Sequence, residues 1–283
     1  MTDAPPTTPD CKLDVTGAAG IRCSAWLDAV LTGDSREASK HIADESVDMV
    51  LTDPPYGIGF KYSHDYKDDP ETYRELMSWV IAESSRVVKP GCFCFVFQAM
   101  LRLQEMLPMF PAGSRVFAAC KNFVQMRPSA MQYGYDPVIV WQKPGKYPLK
   151  PKGRDWHVAN TANTNNRGIN DAGFHACPRP LDTIEYIIEN WSPAGGLVVD
   201  WFMGSGTTAV AAKRLRRHWL GWEIDEQIAE AARRRVASVQ GYDEQVTLEL
   251  ERGEASNEKL RHAGPETHKC KPQREPALPA ANG

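Results

Sequence analysis

The sequence predicts an α/β protein built on a doubly wound, mostly parallel sheet. Short apolar runs of strand length alternate with segments of helical spacing from about residue 25 to residue 240. Cys92–Phe97 is apolar throughout, which is typical of a strand buried on both faces. Two further runs, Val47–Thr52 and Gly196–Asp200, lead into acidic residues and turn-forming segments. Open α/β sheets bind ligands at such strand ends, so these two places are the first candidates for a site.

Composition limits the class of protein. The chain has 283 residues and a formal net charge of −3, so no global basic field indicates nucleic acid, although a local basic patch would suffice to bind it. Its seven cysteines show no CxxC spacing, which predicts a reducing compartment with neither disulfides nor a metal site. No basic-then-apolar leader and no apolar run of about 18 residues occurs, so we expect a soluble, cytoplasmic protein without a membrane span.

The stretch Asp53-Pro54-Pro55-Tyr56 is an unusual way to end a strand. Proline has no N–H and a fixed φ, so the two prolines stop the hydrogen-bond ladder and hold the backbone extended. A carboxylate, a carbonyl and an aromatic face would then project together. Such a set suits a planar base with an exocyclic amine, whose two protons the acceptors would take. The alternative is an ordinary loop with two prolines.

The other elements of the first half follow from periodicity and turn signals. Asp34 follows an apolar segment (Cys23–Thr32) and is either a turn residue or a ligand contact. An aromatic loop after Gly59 either closes over a bound base or is a surface loop. The predicted elements are a flexible segment 1–20, a helix within 35–45, a helix from Pro70 to Val88, a turn at Lys89-Pro90-Gly91, a strand Cys92–Phe97, a helix around Met100–Leu107, and strands near Val116–Val124 and Pro137–Trp141.

A basic, aromatic and amide-rich stretch spans residues 143–175. It has no core periodicity, and its composition suits contact with phosphates and base edges. The candidates for DNA binding are Lys150, Lys152, Arg154, Trp156 and Arg167. An ordinary solvated loop is the alternative.

The second half carries a glycine-rich turn between a strand and a helix. Glycines let the backbone approach a ligand, a helix amino terminus offers N–H groups, and an acid after the next strand can bind ribose hydroxyls. The elements are a helix Pro180–Trp191, a strand Gly196–Asp200, the turn Trp201–Thr208, a helix Ala209–Arg217, a strand Trp219–Trp222 ending at Glu223, a helix Ile228–Val239 with Arg233-Arg234-Arg235 on a solvated face, and a disordered tail 252–283.

A dinucleotide fingerprint is the rival interpretation of this turn. Gly204–Ala209 fits G-x-G-x-x-[GA], and Glu223 follows about 20 residues on. In dinucleotide folds, however, the glycines follow the strand at once, whereas here Asp200 and three bulky residues come first. A carboxylate in that position suits a cofactor with a cationic, phosphate-free end, such as S-adenosylmethionine, and would repel a pyrophosphate.

Taken together, these motifs resemble those of the S-adenosylmethionine-dependent DNA amino-methyltransferases in which the catalytic motif precedes the glycine motif. Asp53–Tyr56 is similar to D-P-P-Y, Asp200–Gly206 to D-x-F-x-G-x-G, and His175–Pro180 to H-P-x-Q-K-P. Trp201 stands where the family usually has Pro, and Arg179 where it usually has Lys. The resemblance implies these cofactor contacts: Asp34, His175, Pro180, Asp200, Phe202, Gly204, Ser205, Gly206, Thr207, Thr208, Glu223 and Asp225.

The resemblance also implies a fold and a division of the chain. We expect a Rossmann-like, seven-stranded sheet of the class I methyltransferase type, permuted so that the cofactor half comes last. Residues 21–142 would form the catalytic half, 143–175 a short target-recognition insertion and 176–251 the cofactor-binding half. Asp53 and Gly204, remote in sequence, would become neighbours.

The implied activity is methyl transfer from S-adenosylmethionine to an exocyclic amine in DNA. The catalytic residues would be Asp53, Pro54, Pro55 and Tyr56, acting on a base flipped out of the duplex without a covalent enzyme intermediate. Asp at the first tetrad position resembles the N6-adenine enzymes, and N4-cytosine methylation or an inactive nucleic-acid-binding relative are the alternatives. The resemblance places the protein in a bacterial or phage-infected cell, in the company of restriction–modification enzymes. The recognition sequence and a homodimer are left open.

Overall fold

The computed structural model describes residues 27–59, 67–122, 132–147, 153–159 and 179–239, and these residues contain an eight-stranded sheet. The strands are β1 (Ala29–Thr32), β2 (Val47–Thr52), β3 (Val88–Phe97), β4 (Arg115–Lys121), β5 (Tyr135–Gln142), β6 (Trp156–Ala159), β7 (Leu197–Asp200) and β8 (His218–Glu223). Their order across the sheet is β1-β8-β7-β2-β3-β5-β4-β6. The pairs β3–β5 and β4–β5 are antiparallel and the others are parallel.

The central feature of this order is that β2 pairs directly with β7. Met49 lies opposite Val198 and Val50 opposite Val199, in parallel register. The two strands therefore end side by side at the same edge of the sheet. The proline tetrad follows β2 and the glycine turn follows β7, so the fold brings together two motifs that are about 150 residues apart.

Helices cover both faces of the sheet, and strand side chains alternate between two apolar cores. The helices are α1 (Ser35–Ala38), α2 (Pro70–Val87), α3 (Leu103–Met106), α4 (Leu181–Trp191), α5 (Thr207–Arg214) and α6 (Glu226–Ser238). Val50 of β2 belongs to the core formed with α2, whereas Met49 and Leu51 belong to the core formed with α4, α5 and α6. This alternation explains why β2 is apolar almost throughout.

The start of α2 shows how local sequence fixes an element. The Asp69 side chain accepts hydrogen bonds from the backbone N–H groups of Glu71 (3.1 Å) and Thr72 (2.9 Å), and Pro70 occupies the first helical position. The predicted boundaries of this helix are therefore close to those observed.

The predicted fold class is confirmed, with two differences in the sheet. The sheet has eight strands rather than seven, and the added strand is β6, which lies within the stretch 143–175 that shows no core periodicity. It pairs with β4 at the edge of the sheet, where Trp156 and Val158 stay exposed, so it has no core periodicity to detect. Lys89-Pro90-Gly91 is not a turn but belongs to β3. The β2–β3 register shifts next to this stretch, and Gly91, at φ +82°, donates its N–H to Lys143 O, so the segment is an irregularity within the strand.

Two predicted helices are broken into short pieces. Residues 35–45 form only α1 and a 3-10 turn (Ser39–His41), and the Met100–Leu107 region forms α3 between two 3-10 turns (Met100–Arg102 and Leu107–Met109). Each piece is too short to be held by helix propensity alone, so packing decides its shape. The predicted flexible segment 1–20, the aromatic loop after Gly59 (residues 60–66) and the predicted tail 252–283 lie outside the described residues.

Trp201, which stands where the resemblance has Pro, is a core residue. It is 1% exposed, stacks on Trp222 (centroids 5.6 Å apart) and meets Trp79 edge-on at 5.5 Å. Its indole N–H donates to Ser84 Oγ at 2.9 Å. The side chain therefore joins the end of β7 to α2 beneath the glycine turn.

We predict that Trp201→Ala lowers the free energy of unfolding by about 3–5 kcal/mol, because it removes a fully buried aromatic side chain. Trp201→Phe, the matched control, keeps most of the apolar contact and should cost clearly less. Urea denaturation of both variants measures the difference. A loss below about 1 kcal/mol for Trp201→Ala would contradict the proposed packing role.

Candidate active site

The proline tetrad lies immediately beyond the end of β2. Pro54 is buried, whereas Asp53, Pro55 and Tyr56 are partly exposed. The Tyr56 hydroxyl donates to Asp53 Oδ1, which fixes the tyrosine against the carboxylate. Desolvation of the hydroxyl by the surrounding protein raises the pKa of Tyr56 well above its usual value; the charge of Arg179 opposes this shift and the negative charges of Asp53 and Asp136 add to it, so the hydroxyl stays protonated.

The chain leaving the tetrad is held by Asp68. The carboxylate of this buried residue accepts hydrogen bonds from Gly57 N (2.6 Å) and Ile58 N (3.1 Å). The backbone carbonyl of Asp68 accepts a third, from Gly59 N at 2.8 Å. Gly57 has a φ of +64°, and a Cβ there would lie 2.7 Å from Tyr73 Cβ. Only glycine suits this turn, which fixes the direction in which the tetrad is presented.

Arg179 ties the tetrad to a second carboxylate. Its Nε donates to Asp53 Oδ2 at 2.6 Å and its Nη2 to Asp53 Oδ1 at 3.1 Å and to the Tyr56 hydroxyl. Its Nη1 donates to Asp136 Oδ2 at 2.7 Å. Arg179 immediately precedes Pro180, the residue at the N-cap of α4, so the segment that leads into α4 reaches directly onto Asp53.

The Asp200 side chain connects the ends of β2 and β7 by hydrogen bonds. Its Oδ1 accepts from Thr52 Oγ1 (2.8 Å) and Phe202 N (3.1 Å), and its Oδ2 from Thr208 Oγ1 (2.7 Å). The residue is 3% exposed. Burial raises the pKa of the carboxyl group to about 6, although these hydrogen bonds oppose the shift. Asp200 therefore joins β2, β7 and α5, and its predicted contact with the cofactor stays a prediction.

The glycine turn is shaped for a close approach of backbone to ligand. Gly204 and Gly206 have positive φ values of 51° and 78°, and a Cβ on Gly206 would lie 3.1 Å from Ala232 Cβ of α6. Gly204 N donates to Glu223 Oε2 at 3.0 Å. The acid predicted for the ribose therefore also holds the glycine turn, at the end of β8 beside β7.

Arg235 is a support of this turn that the sequence did not indicate. Its Nη1 donates to the Ser205 carbonyl (2.9 Å), to Ser205 Oγ (3.0 Å) and to Thr207 Oγ1 (3.0 Å). Burial lowers the pKa of its guanidinium. The expectation that Arg233-Arg234-Arg235 forms a solvated face is thus wrong for Arg235, because α6 turns that side chain toward the glycine turn.

Two further predicted cofactor contacts act as helix caps. Asp34 accepts from Arg36 N at 2.9 Å at the start of α1 and pairs with the Arg36 guanidinium, with Nη2 2.6 Å from Oδ2. Asp225 accepts from Gln227 N (2.8 Å) and Ile228 N (3.3 Å) at the start of α6. These contacts account for the acid at each position, and the cofactor role of each remains a prediction.

One cleft joins the two motifs. The empty space in and above it, including part that is open to solvent, is about 450 Å³, and its lining includes Asp53 of the tetrad, residues of the glycine turn and Ile184 of α4. The lining residues are Leu51, Thr52, Asp53, Phe97, Arg179, Ile184, Asp200, Phe202, Met203, Gly204, Ser205, Thr207 and Thr208. Asp53 and Gly204 thus share a cavity, as the two-motif hypothesis requires.

Three of the five candidate DNA-binding residues lie outside the described residues: Lys150, Lys152 and Arg167. The cofactor candidate His175 also lies outside them. The two that are described lie together. The Arg154 guanidinium stacks over the Trp156 ring, 5.2 Å from its centroid, and Trp156 is 43% exposed on the edge strand β6. Behind them His157 stacks on Tyr186 of α4 at 4.6 Å, which anchors the strand.

Metal and membrane sites can be tested only for the described part of the chain. Within it, no cluster of three or more His, Cys, Asp or Glu side chains is placed to hold a metal ion. Among the described helices, none has the length and apolarity needed to cross a membrane.

Comparison with known proteins gives the same picture. A family model described as DNA methylase (N6_N4_Mtase) matches residues 47–234. Type II methyltransferase M.BglII of Bacillus subtilis is 26% identical over 253 residues, covering 73% of this chain and 68% of the relative. M.ScaI of Streptomyces caespitosus is 24% identical over 245 residues, covering 71% and 78%.

Solved structures agree on the fold. The PvuII DNA methyltransferase (cytosine-N4-specific) superposes with a TM-score of 0.58 at 19% identity, covering 73% of this chain and 85% of the other. The M1.HpyAVI–SAM complex gives a TM-score of 0.55 at 21% identity, covering 74% and 98%.

A mixed sheet in which the proline tetrad and the glycine turn meet at adjacent strand ends is the arrangement of an S-adenosylmethionine-dependent methyltransferase. Within that class, the match over residues 47–234 shows that the chain belongs to the N6-adenine/N4-cytosine DNA methylase family. Its cofactor is S-adenosylmethionine and its substrate is DNA, as the sequence predicted.

The raised pKa of Asp200 predicts a pH-dependent stability. Because the folded protein binds this proton before the unfolded chain does, the carboxyl group favours the folded state increasingly as the pH falls from about 7 to 5. The free energy of unfolding of the wild type, relative to Asp200→Asn, should therefore rise over this range. Urea denaturation at several pH values measures it, and a difference that does not change with pH would contradict the assignment.

Proposed function

We propose that this protein methylates N6 of adenine in DNA, on a base flipped out of the duplex. The observation that carries the proposal is the single cleft lined by both Asp53 and the glycine turn. An amine held at one motif would face a methyl group presented at the other. Asp at the first tetrad position favours adenine, by resemblance to the N6-adenine enzymes.

S-adenosylmethionine, when bound, supplies an electrophilic methyl group on a sulfonium sulfur. The residues present fit this cofactor. The positive-φ glycines remove side chains from the ligand's path, and the start of α5 offers N–H groups to its carboxylate. Glu223 would bind the ribose hydroxyls, and Phe202 and Ser205 would border the ligand. The proposed contacts also include Asp34, Pro180, Asp200, Thr207, Thr208 and Asp225.

Asp53 and the Pro54 carbonyl would accept the two N–H bonds of the target amine. An aromatic amine is a poor nucleophile, because its lone pair is delocalised into the ring. Two fixed acceptors favour a pyramidal nitrogen, with its lone pair directed at the methyl carbon. S-adenosylmethionine would supply the methyl group to which the amine forms its new N–C bond, and the electron pair of the broken C–S bond would stay on sulfur. The amine would then lose one proton, which Asp53 would accept.

Tyr56 and Pro55 would position the base. A flipped base loses its stacking in the duplex, at a cost of a few kcal/mol, and the partly exposed Tyr56 ring offers a surface to replace it. Pro55 keeps the backbone extended between the carboxylate and the ring. The exposed Arg154–Trp156 pair would contact the DNA backbone and an unstacked base.

Asp53→Asn tests this assignment, because the amide keeps the shape of the carboxylate and loses its charge. We expect methyl transfer to fall about 10²–10³-fold. The assay uses labelled S-adenosylmethionine and DNA amplified in vitro, which carries no methylation. The matched control is Asp44→Asn, a carboxylate that is 74% exposed, pairs with Arg86 and lies outside the cleft; it should keep wild-type activity.

The modified base identifies the substrate. Digestion of the product DNA to nucleosides, followed by mass spectrometry, separates N6-methyladenine from N4-methylcytosine. N6-methyladenine is the expected product. Detection of N4-methylcytosine instead would mean that the target base is cytosine, not adenine. Cofactor binding without any methylated base would contradict the proposal.

Glu223→Gln tests the cofactor half separately. Replacing the charged acceptor of two hydroxyl groups should weaken S-adenosylmethionine binding about 10- to 100-fold. Isothermal titration calorimetry gives the dissociation constant. The matched control is Glu226→Gln, three residues further on, whose carboxylate pairs with Arg233 at 2.6 Å instead. If Glu223→Gln and Glu226→Gln bind S-adenosylmethionine equally well, Glu223 does not contact the cofactor.

A further inference from the structure

Arg179 occupies the oxygens of Asp53 that the target amine needs. Both carboxylate oxygens accept from the guanidinium, Oδ2 from Nε at 2.6 Å and Oδ1 from Nη2 at 3.1 Å, and Oδ1 also accepts from Tyr56. The side chains of Arg179 and Asp53 are 19% and 28% exposed. These three donors take most of the roughly four lone-pair sites of the carboxylate, and the guanidinium charge weakens it as an acceptor, so base binding must compete with Arg179.

Arg179 also contacts a second carboxylate, that of Asp136. Asp136 of β5 accepts from Arg179 Nη1 at 2.7 Å through Oδ2, and its other oxygen lies 2.8 Å from Lys121 Nζ of β4. The guanidinium also lies over the Phe97 ring, 4.8 Å from the centroid. Arg179 can therefore leave Asp53 and still keep an ion pair and an aromatic surface.

The charges of this cluster balance before the base binds. Asp53 and Asp136 face Arg179 and Lys121, two anions and two cations. The attacking amine gains positive charge as the methyl group is transferred. A guanidinium still bound to Asp53 would repel that charge, whereas a guanidinium on Asp136 would leave Asp53 free to stabilise it.

We propose that Arg179 is a positioning residue that acts as an exchangeable counter-ion of Asp53. It holds the carboxylate in place until the base arrives and then transfers its contact to Asp136, so that the amine takes over as the partner of Asp53. This inference rests on the proposed function, because it concerns the same amine site. It gives the arginine at this position a specific task, since its planar fork of donors contacts both oxygens of Asp53 and one of Asp136 at once.

Substitutions at both ends of the exchange test it. Asp136→Asn removes the second anion and leaves Arg179 on Asp53, so it should slow single-turnover methyl transfer to DNA about tenfold. Arg179→Met in that background removes the competitor and restores two balanced charges, Asp53 and Lys121. The double variant should therefore be faster than Asp136→Asn alone.

A merely structural role predicts the opposite order. If Arg179 only braces α4 against the sheet, the double variant should be the slowest and the least stable of the set, and that result would overturn the proposal. Melting temperatures recorded alongside the rates separate loss of rate from loss of fold. Amplified DNA in excess enzyme with labelled S-adenosylmethionine provides the rate, so affinity for DNA does not enter.

A wild-type complex gives a test that needs no variant. Sequencing the methylated product DNA identifies a target site, and a duplex containing it can be crystallised with the protein and S-adenosylhomocysteine. The Arg179–Asp53 contact should be lost, while the Arg179–Asp136 contact persists. Retention of both contacts around a flipped base would overturn the exchange and leave the proposed function intact. A wild-type chain that methylates no DNA would overturn both.

Discussion

The parallel pairing of β2 with β7 is the constraint on which the rest of the structure depends. It brings the proline tetrad and the glycine turn to one edge of the sheet, and Asp200 joins the two strand ends by accepting a hydrogen bond from Thr52 of the neighbouring strand. A buried carboxylate is tolerated there because three donors satisfy it. The cleft is therefore a product of strand order first and of side chains second.

The electrostatics of the cleft follow from the same geometry. Two acids of different strands, Asp53 and Asp136, lie close together, and they require a cation that reaches both. Arg179 does so because its donors lie in one rigid plane, whereas a lysine would offer a single point charge. Arg179, one of the two residues that depart from the usual family motifs, is thus explained by the local charge arrangement.

Local sequence predicted those features that neighbours in sequence determine. The strand Val47–Thr52, the Asp69–Pro70 start of α2 and the glycine turn each carry their own signals, and their place in the fold was predicted correctly. Contacts made across the chain were not predictable in this way. Asp68 and Arg235 support the two motifs from other elements, and β6 is a strand only because β4 pairs with it. A single sequence contains no pattern that marks such distant partners.

The separation of β2 and β7 along the chain has a consequence for biosynthesis. While the ribosome makes the first half, β2 can pair with β3 but its other edge has no partner until residues 197–200 emerge. An unpaired edge of an apolar, central strand is prone to pair with another chain. The nascent chain therefore carries this exposed edge until β7 has been made, and a chain that ends before residue 197 lacks the strand that covers it.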